Sequence, residues 1–309
     1  MSRTSSRLPI WAVTAALGTS LGACSAQDRS VGAMPAASGL PPTLTSSFAA
    51  DDGFWDVQTM IDGASVVFGA TAAGASDGKV AELRLPGKPG LGASDFVGPD
   101  LATEIGSKQF FRFGTLRTAV RFPTCQPSEE VAAAVFWFYN DGVDHDGNGI
   151  VDNPEMDLHL LCGTPGVVAL TAWSDFQQNR DGSTQFLRRS HAVDLASGDL
   201  YDTVSDSADG YALTGNDAAL VRPGFPAAGA FYEVGYDWQA SAVRFFIVID
   251  GVELTLWTLA DTALVPQVPL QLRYNLWHPD AHWLPPAASA NYPAEDAMLA
   301  VDWFKYWAP

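Results

Sequence analysis

Lysine is nearly missing from this 309-residue sequence. There are four, and Lys and Arg together number 17 against 35 Asp and Glu, a formal net charge of −18. So acidic a surface repels phosphate backbones and excludes nucleic acid as a partner. Cysteine is scarce too: the three present are too few for a disulfide scaffold or a multi-cysteine metal site. No sustained 3.6-residue apolar period occurs, which argues against a helical fold. There is no Gly-rich phosphate loop and no Gly-x-Ser-x-Gly elbow, so nucleotide-binding and serine-hydrolase readings lack support. What is present is apolar and aromatic: 47% hydrophobic and 11% aromatic residues can bury a sizeable core, and 28 glycines and 20 prolines interrupt it often.

The three cysteines divide into one and two. Arg3 and Arg7 precede a short apolar run over 8–21, with no acidic residue before Asp28. This pattern reads as a secretory leader, too short for a comfortable membrane span. It ends in Leu21-Gly22-Ala23-Cys24, which resembles a bacterial lipobox and makes Cys24 the lipid-accepting residue. Ser25 follows, with no Asp as a retention signal, so an exported protein anchored to the outer membrane is expected. Losing the two leader arginines takes the formal charge from −18 to −20. In an oxidising compartment Cys125 and Cys162 are free to pair. A bridge between them would contribute on the order of 3–4 kcal/mol by chain-entropy arguments; two buried thiols are the alternative.

Residues 24–47 are rich in Ser, Ala, Gly and Pro and read as a flexible tether following the leader at 1–23. From 48 to 309 the pattern is that of one β-sandwich. Runs at 110–122, 131–139, 167–173, 231–238, 243–250, 270–277 and 298–307 carry β-branched and aromatic residues, separated by Gly, Pro, Asn and Asp. A long segment over 174–230 reads as loop.

One strand carries polar groups in line. Glu155-Met156-Asp157-Leu158-His159-Leu160 alternates, so Glu155, Asp157 and His159 share one face and the apolar residues the other. A solvated strand would also alternate this way. Running into it, residues 144–155 have the spacing of a calcium loop, with Asp144, Asp146, Asn148 and Asp152 as oxygen ligands and Gly149 at the sharp turn. A turn shaped by side chain–backbone hydrogen bonds is the other reading. No helix flanks it, and Glu155 is left for the strand face. His278 and His282 have a metal-like spacing, but Pro279 argues against the helix that would align them. No organic cofactor is implied.

The flanking segments give that strand a context. Glu155-x-Asp157-x-His159, Ala102-Thr103-Glu104-Ile105, Phe113-Gly114-Thr115, the apolar stretch 134–139, Asp250-Gly251, Asn275-Leu276-Trp277 and the closing stretch 300–306 occur in an order that resembles glycoside hydrolase family 16, the laminarinase and licheninase group. The resemblance spans roughly 50–307. It implies a concanavalin A-like jelly-roll of two antiparallel sheets with a concave substrate cleft, acting as a monomer on a polysaccharide of the β-glucan class. It implies retaining cleavage of internal β-glycosidic bonds, with Glu155 as nucleophile and Asp157 tuning its charge. Retaining chemistry needs a second carboxyl about 5–5.5 Å away to protonate the leaving oxygen. Position 159, where it belongs, is histidine. Two nearby carboxylates should raise the imidazole pKa and let His159 serve as acid/base. Glu104, Asn275 and Trp277 are the expected substrate-binding residues, with Trp137, Trp173 and Trp283 as further stacking platforms. A lectin-like surface protein that binds without turnover, and a structural envelope protein with neither property, are the rival readings.

Overall fold

The computed structural model describes residues 41–90, 100–126, 129–181, 183–207, 210–279, 284 and 291–309. The leader, Cys24, His282 and Trp283 lie outside these. The regular secondary structure of the described residues is all strand apart from one short 3-10 turn at Ala218–Leu220. In order the strands are β1 Leu44–Ser46, β2 Trp55–Thr59, β3 Ser65–Thr71, β4 Lys79–Leu85, β5 Asp100–Phe111, β6 Gly114–Arg121, β7 Ala132–Phe138, β8 Asp152–Leu161 and β9 Val167–Gln178. They continue with β10 Thr184–Asp194, β11 Asp199–Thr203, β12 Tyr211–Asn216, β13 Tyr232–Gln239, β14 Ala242–Ile249, β15 Val252–Leu259, β16 Leu270–His278 and β17 Ala297–Trp307.

Alternation decides which sheet face is buried. In β16, Leu270, Leu272, Tyr274 and Leu276 are fully buried while Gln271, Arg273, Asn275 and Trp277 alternate on the other face. The strands form two antiparallel sheets. One runs β15-β14-β13-β6-β17-β4-β3, with β1 beside β17; the other runs β12-β11-β10-β9-β8-β7-β16-β5-β2. Their inner faces meet in one core around Trp137, Tyr236, Trp238, Phe245 and Tyr274. Two buried polar tips there find partners, Trp238 donating to the carbonyl of Pro266 at 3.0 Å and Tyr274 to Thr118 at 2.9 Å, while the Trp137 indole N–H has none.

Three expectations shift. Leu44–Ser46, assigned to the tether, pairs with Phe304–Tyr306, so the folded domain starts before residue 48. The run 110–122 is two strands joined by a tight turn. Phe113 and Gly114 both have positive φ, and a Cβ on Gly114 would lie 2.3 Å from the carbonyl oxygen of Trp307, so glycine is required. The segment 174–230 holds β10, β11 and β12, which widen the second sheet. The Asp250-Gly251 hairpin is as read: both residues have positive φ, matching the twist of the strands they join. Cys125 and Cys162 form a disulfide, with Cα atoms 4.7 Å apart.

The outer face of the first sheet carries an ion-pair network. Asp237, 2% exposed, accepts from Arg244 and from Thr115 at 2.7 Å. Arg244 also reaches Glu253 at 2.7 Å, and Arg117 joins Glu253 to Glu233 at 2.5 Å each. The two guanidinium groups each lie 4.7 Å from the Phe246 ring centroid, which supports them through cation–π contact.

Candidate functional site

Strand β8 lies near the middle of the nine-stranded sheet. Met156, Leu158 and Leu160 enter the core, so Glu155, Asp157 and His159 stand on the outer face. Antiparallel registry places neighbours opposite each of them. Glu155 lies in a row with Phe138, Gln271 and Phe110 on one side and Trp173 and Arg188 on the other. Asp157 shares its row with Phe136 and Thr171, and His159 with Ala134, Asn275 and Glu104. These rows floor a cleft of about 440 Å³. Its walls include Glu155, Asp157, His159, Trp173, Asn275 and Trp277, six of the residues expected there.

Two expected residues do not reach the cleft. Trp137 is 1% exposed and faces inward, packed on Phe111, Tyr236 and Trp238. Its neighbour Phe136 takes the outer position, because registry with Asp157 sets the parity of β7. Glu104 sits beside Asn275 but is 5% exposed and engaged by Arg273, whose guanidinium also lies 5.0 Å from the Phe138 ring. It acts as a support for the floor. His278 is buried, its Nδ1–H donating to the carbonyl of Glu130 at 2.8 Å, a structural role. Sequence reasoning missed Asn153, Thr171, Phe176 and Arg188, which line the cleft. Arg188 comes from β10, in the segment read as loop. Its guanidinium lies over Trp173 and Phe186 at 4.8 and 4.9 Å.

Electrostatics distinguish the three polar groups on β8. Asn153 donates to Glu155 at 3.0 Å and is itself held by Asn140 at 2.8 Å. Burial raises the Glu155 pKa, while the bonds from Asp157 and Asn153 oppose that rise. Asp157 is raised well above the usual carboxylate range, first by burial and then by the charge and hydrogen bond of Glu155. Trp173 donates to its Oδ2 at 3.2 Å, while Oδ1 is buried without a hydrogen-bond partner. That arrangement suits a protonated Asp157 giving its hydrogen to Glu155. The pair therefore carries one negative charge while Glu155 is ionised and Asp157 is not.

His159 departs from expectation. Burial lowers its pKa to about 4, the opposite of a rise. The ring therefore charges only in the acidic range, where burial also favours the protonated forms of Glu155 and Asp157. The imidazole is neutral at neutral pH. An NMR titration of the His159 ring should show a midpoint near 4; one above about 6.5 would restore the imidazolium.

The acidic loop lies between β7 and β8. Ligand oxygens of Asp144, Asp146 and Asp152 all fall within 4.8 Å of one another. Asp144 accepts from the amides of Gly147 and Gly149 at 2.7 and 2.8 Å, and Asn148 from that of Ile150 at 2.8 Å. Both glycines have positive φ. The turn reading is thus met in full. Asp152 Oδ1 nevertheless has no hydrogen bond, and burial, then the charges of Asp146 and Asp175, raise its pKa against the opposing amide of His145. A divalent cation would complement this donor set. Glu155 takes no part in the loop and faces the cleft.

No family model matches the chain, and no curated protein sequence does. Solved structures do. The β-glucanase of Bacillus licheniformis superposes with a TM-score of 0.51 over 86% of this chain and 98% of that one, at 14% identity. The laminarinase catalytic domain of Thermotoga maritima gives 0.49 over 87% and 98%, at 10% identity. A lichenase from a mouse hindgut metagenome gives 0.47 over 86% and 99%, at 15% identity. The first of these shows that the two sheets form a glucanase-type jelly-roll.

Proposed function

We propose that the protein binds a neutral polysaccharide of the β-glucan class in the cleft walled by Trp173 and Trp277, as a lectin-like site without hydrolytic turnover at neutral pH. The order of protonation carries this reading. Retaining cleavage needs an ionised nucleophile and a protonated acid together. Burial raises the Glu155 pKa and lowers that of His159 to about 4, so an ionised Glu155 beside a charged imidazole is disfavoured from both sides. The β-glucanase-type fold and the two half-buried indoles supply the glycan reading.

Titration of the protein with laminarin, lichenan and agarose, alongside a reducing-sugar assay, tests it. Binding to one of them without Glu155-dependent sugar release is expected at pH 7. Release that Glu155→Gln abolishes would overturn the lectin and favour a hydrolase, the second reading. That reading draws on Glu155, which lines the cleft beside Asp157.

Calcium at Asp144, Asp146, Asn148 and Asp152 is proposed as a structural ion, holding the entry to β8 from outside the cleft. Added calcium should raise the thermal midpoint, and Asp144→Asn with Asp146→Asn should remove the rise; an unmoved wild-type midpoint sinks the idea. Export and lipid attachment at Cys24 are proposed from the leader alone. Labelling with a palmitate analogue that survives Cys24→Ser would refute them.

A further inference from the structure

The cleft is closed on two sides by the chain itself. Along β8 beyond His159, the outer face turns apolar: Leu161 and its row neighbours Ala132 and Val167, with Ala169 and Ala192 beside His159, are at most 3% exposed. Leu284, 2% exposed, packs on this patch as part of the same cluster. A sugar chain cannot lie there without displacing a small second core. The side toward β10 is closed as well. Thr171 donates to Ser190 at 3.0 Å, and Ser190 is 1% exposed. The Tyr211 hydroxyl, carried on β12, hydrogen-bonds to both of these residues. One row over, Arg188 lies across Trp173 and Phe186.

Among the described residues the opposite direction is less covered. The Glu155 row continues through Phe138 and Gln271 to Phe110, which is 43% exposed. Strands in a sheet lie ~4.8 Å apart, so Phe110, three strands from β8, is about 14 Å from Glu155 across the sheet. Phe110 offers an exposed aromatic surface along that line, and the Phe138 ring lies under the Arg273 guanidinium at 5.0 Å. The cleft volume of about 440 Å³ is at the smaller end for ligand sites.

Building on the glycan-binding reading, we propose that the site receives the end of a β-linked glucan chain, which enters over Phe110 and stops against Tyr211 and Arg188. This departs from the internal segment that the family resemblance implies. The substrate class becomes chain termini and free oligosaccharides.

The test counts protein molecules bound per glycan chain. Linear β-1,3- and mixed-linkage glucans of graded length are titrated with the protein at equal chain concentration. End binding keeps the number bound per chain constant as the chains lengthen. A number that rises in proportion to length means internal binding and overturns the proposal, while leaving the glycan reading standing. Absence of binding at every length removes both. A Tyr211→Ala variant, checked for a native melting transition, opens the closed side. It should load long chains in proportion to their length; unchanged loading would remove Tyr211 as the stop.

Discussion

Replacing His159 with glutamate should turn a binding cleft into a hydrolytic one. The position points into the cleft on the same face as Glu155, two residue pairs along β8. A carboxyl in this desolvated setting would hold its proton into the range where Glu155 ionises, which the imidazole does not. A positioned general acid is worth about 10²–10⁴-fold. Sugar release from a glucan the wild type binds should rise by that order, and Glu155→Gln in the same background should abolish the gain. A His159→Glu protein that folds and binds but releases no more sugar would mean that the acid is not what the site lacks. The geometry of the floor, with Asn153 fixed on Glu155 and Trp173 on Asp157, would then be the place to look.

Arg244→Ala should be the most damaging single change on the far sheet. Arg244 is the cation that holds Asp237, which is 2% exposed and otherwise meets only the Thr115 hydroxyl. Its loss leaves a buried charge uncompensated, which costs about 3–5 kcal/mol. At ~2–4 °C per kcal/mol for a domain of this size, the thermal midpoint should fall on the order of 10 °C. Removing both partners, Arg244→Leu with Asp237→Leu, should recover much of that loss, because no ion is left stranded. A double variant as unstable as Arg244→Ala would show that the stabilisation lies in packing around Phe246, not in the ion pair.

The all-β sandwich was legible because it rests on a local signal. Strands such as β16 and β17 write their burial as alternation, and Asp250-Gly251 is a turn wherever strands flank it. The line of Glu155, Asp157 and His159 was legible for the same reason, since all three sit on one strand. What lay across strands was not. Trp137 and Phe136 differ only in parity, and registry between β7 and β8 decides which of them sees the cleft. Arg188 was hidden because β10 to β12 alternate weakly, with half-buried residues on both faces. The direction of the His159 pKa shift was illegible for another reason. The charges beside it were identified, but their own protonation depends on burial, which a sequence does not state.

The short strand β1 has a consequence for orientation. Thr43 donates its amide to Tyr306 at 2.7 Å and accepts from the amide of Ala308 at 3.0 Å, so the two borders of the domain are stitched together. Both lie on the eight-stranded sheet, whereas the cleft opens from the outer face of the other. The described chain therefore begins and ends on the sheet that does not carry the cleft. Joined borders also make the domain a good candidate for insertion into a host loop or for circular permutation, since a short linker would span them without crossing the sandwich.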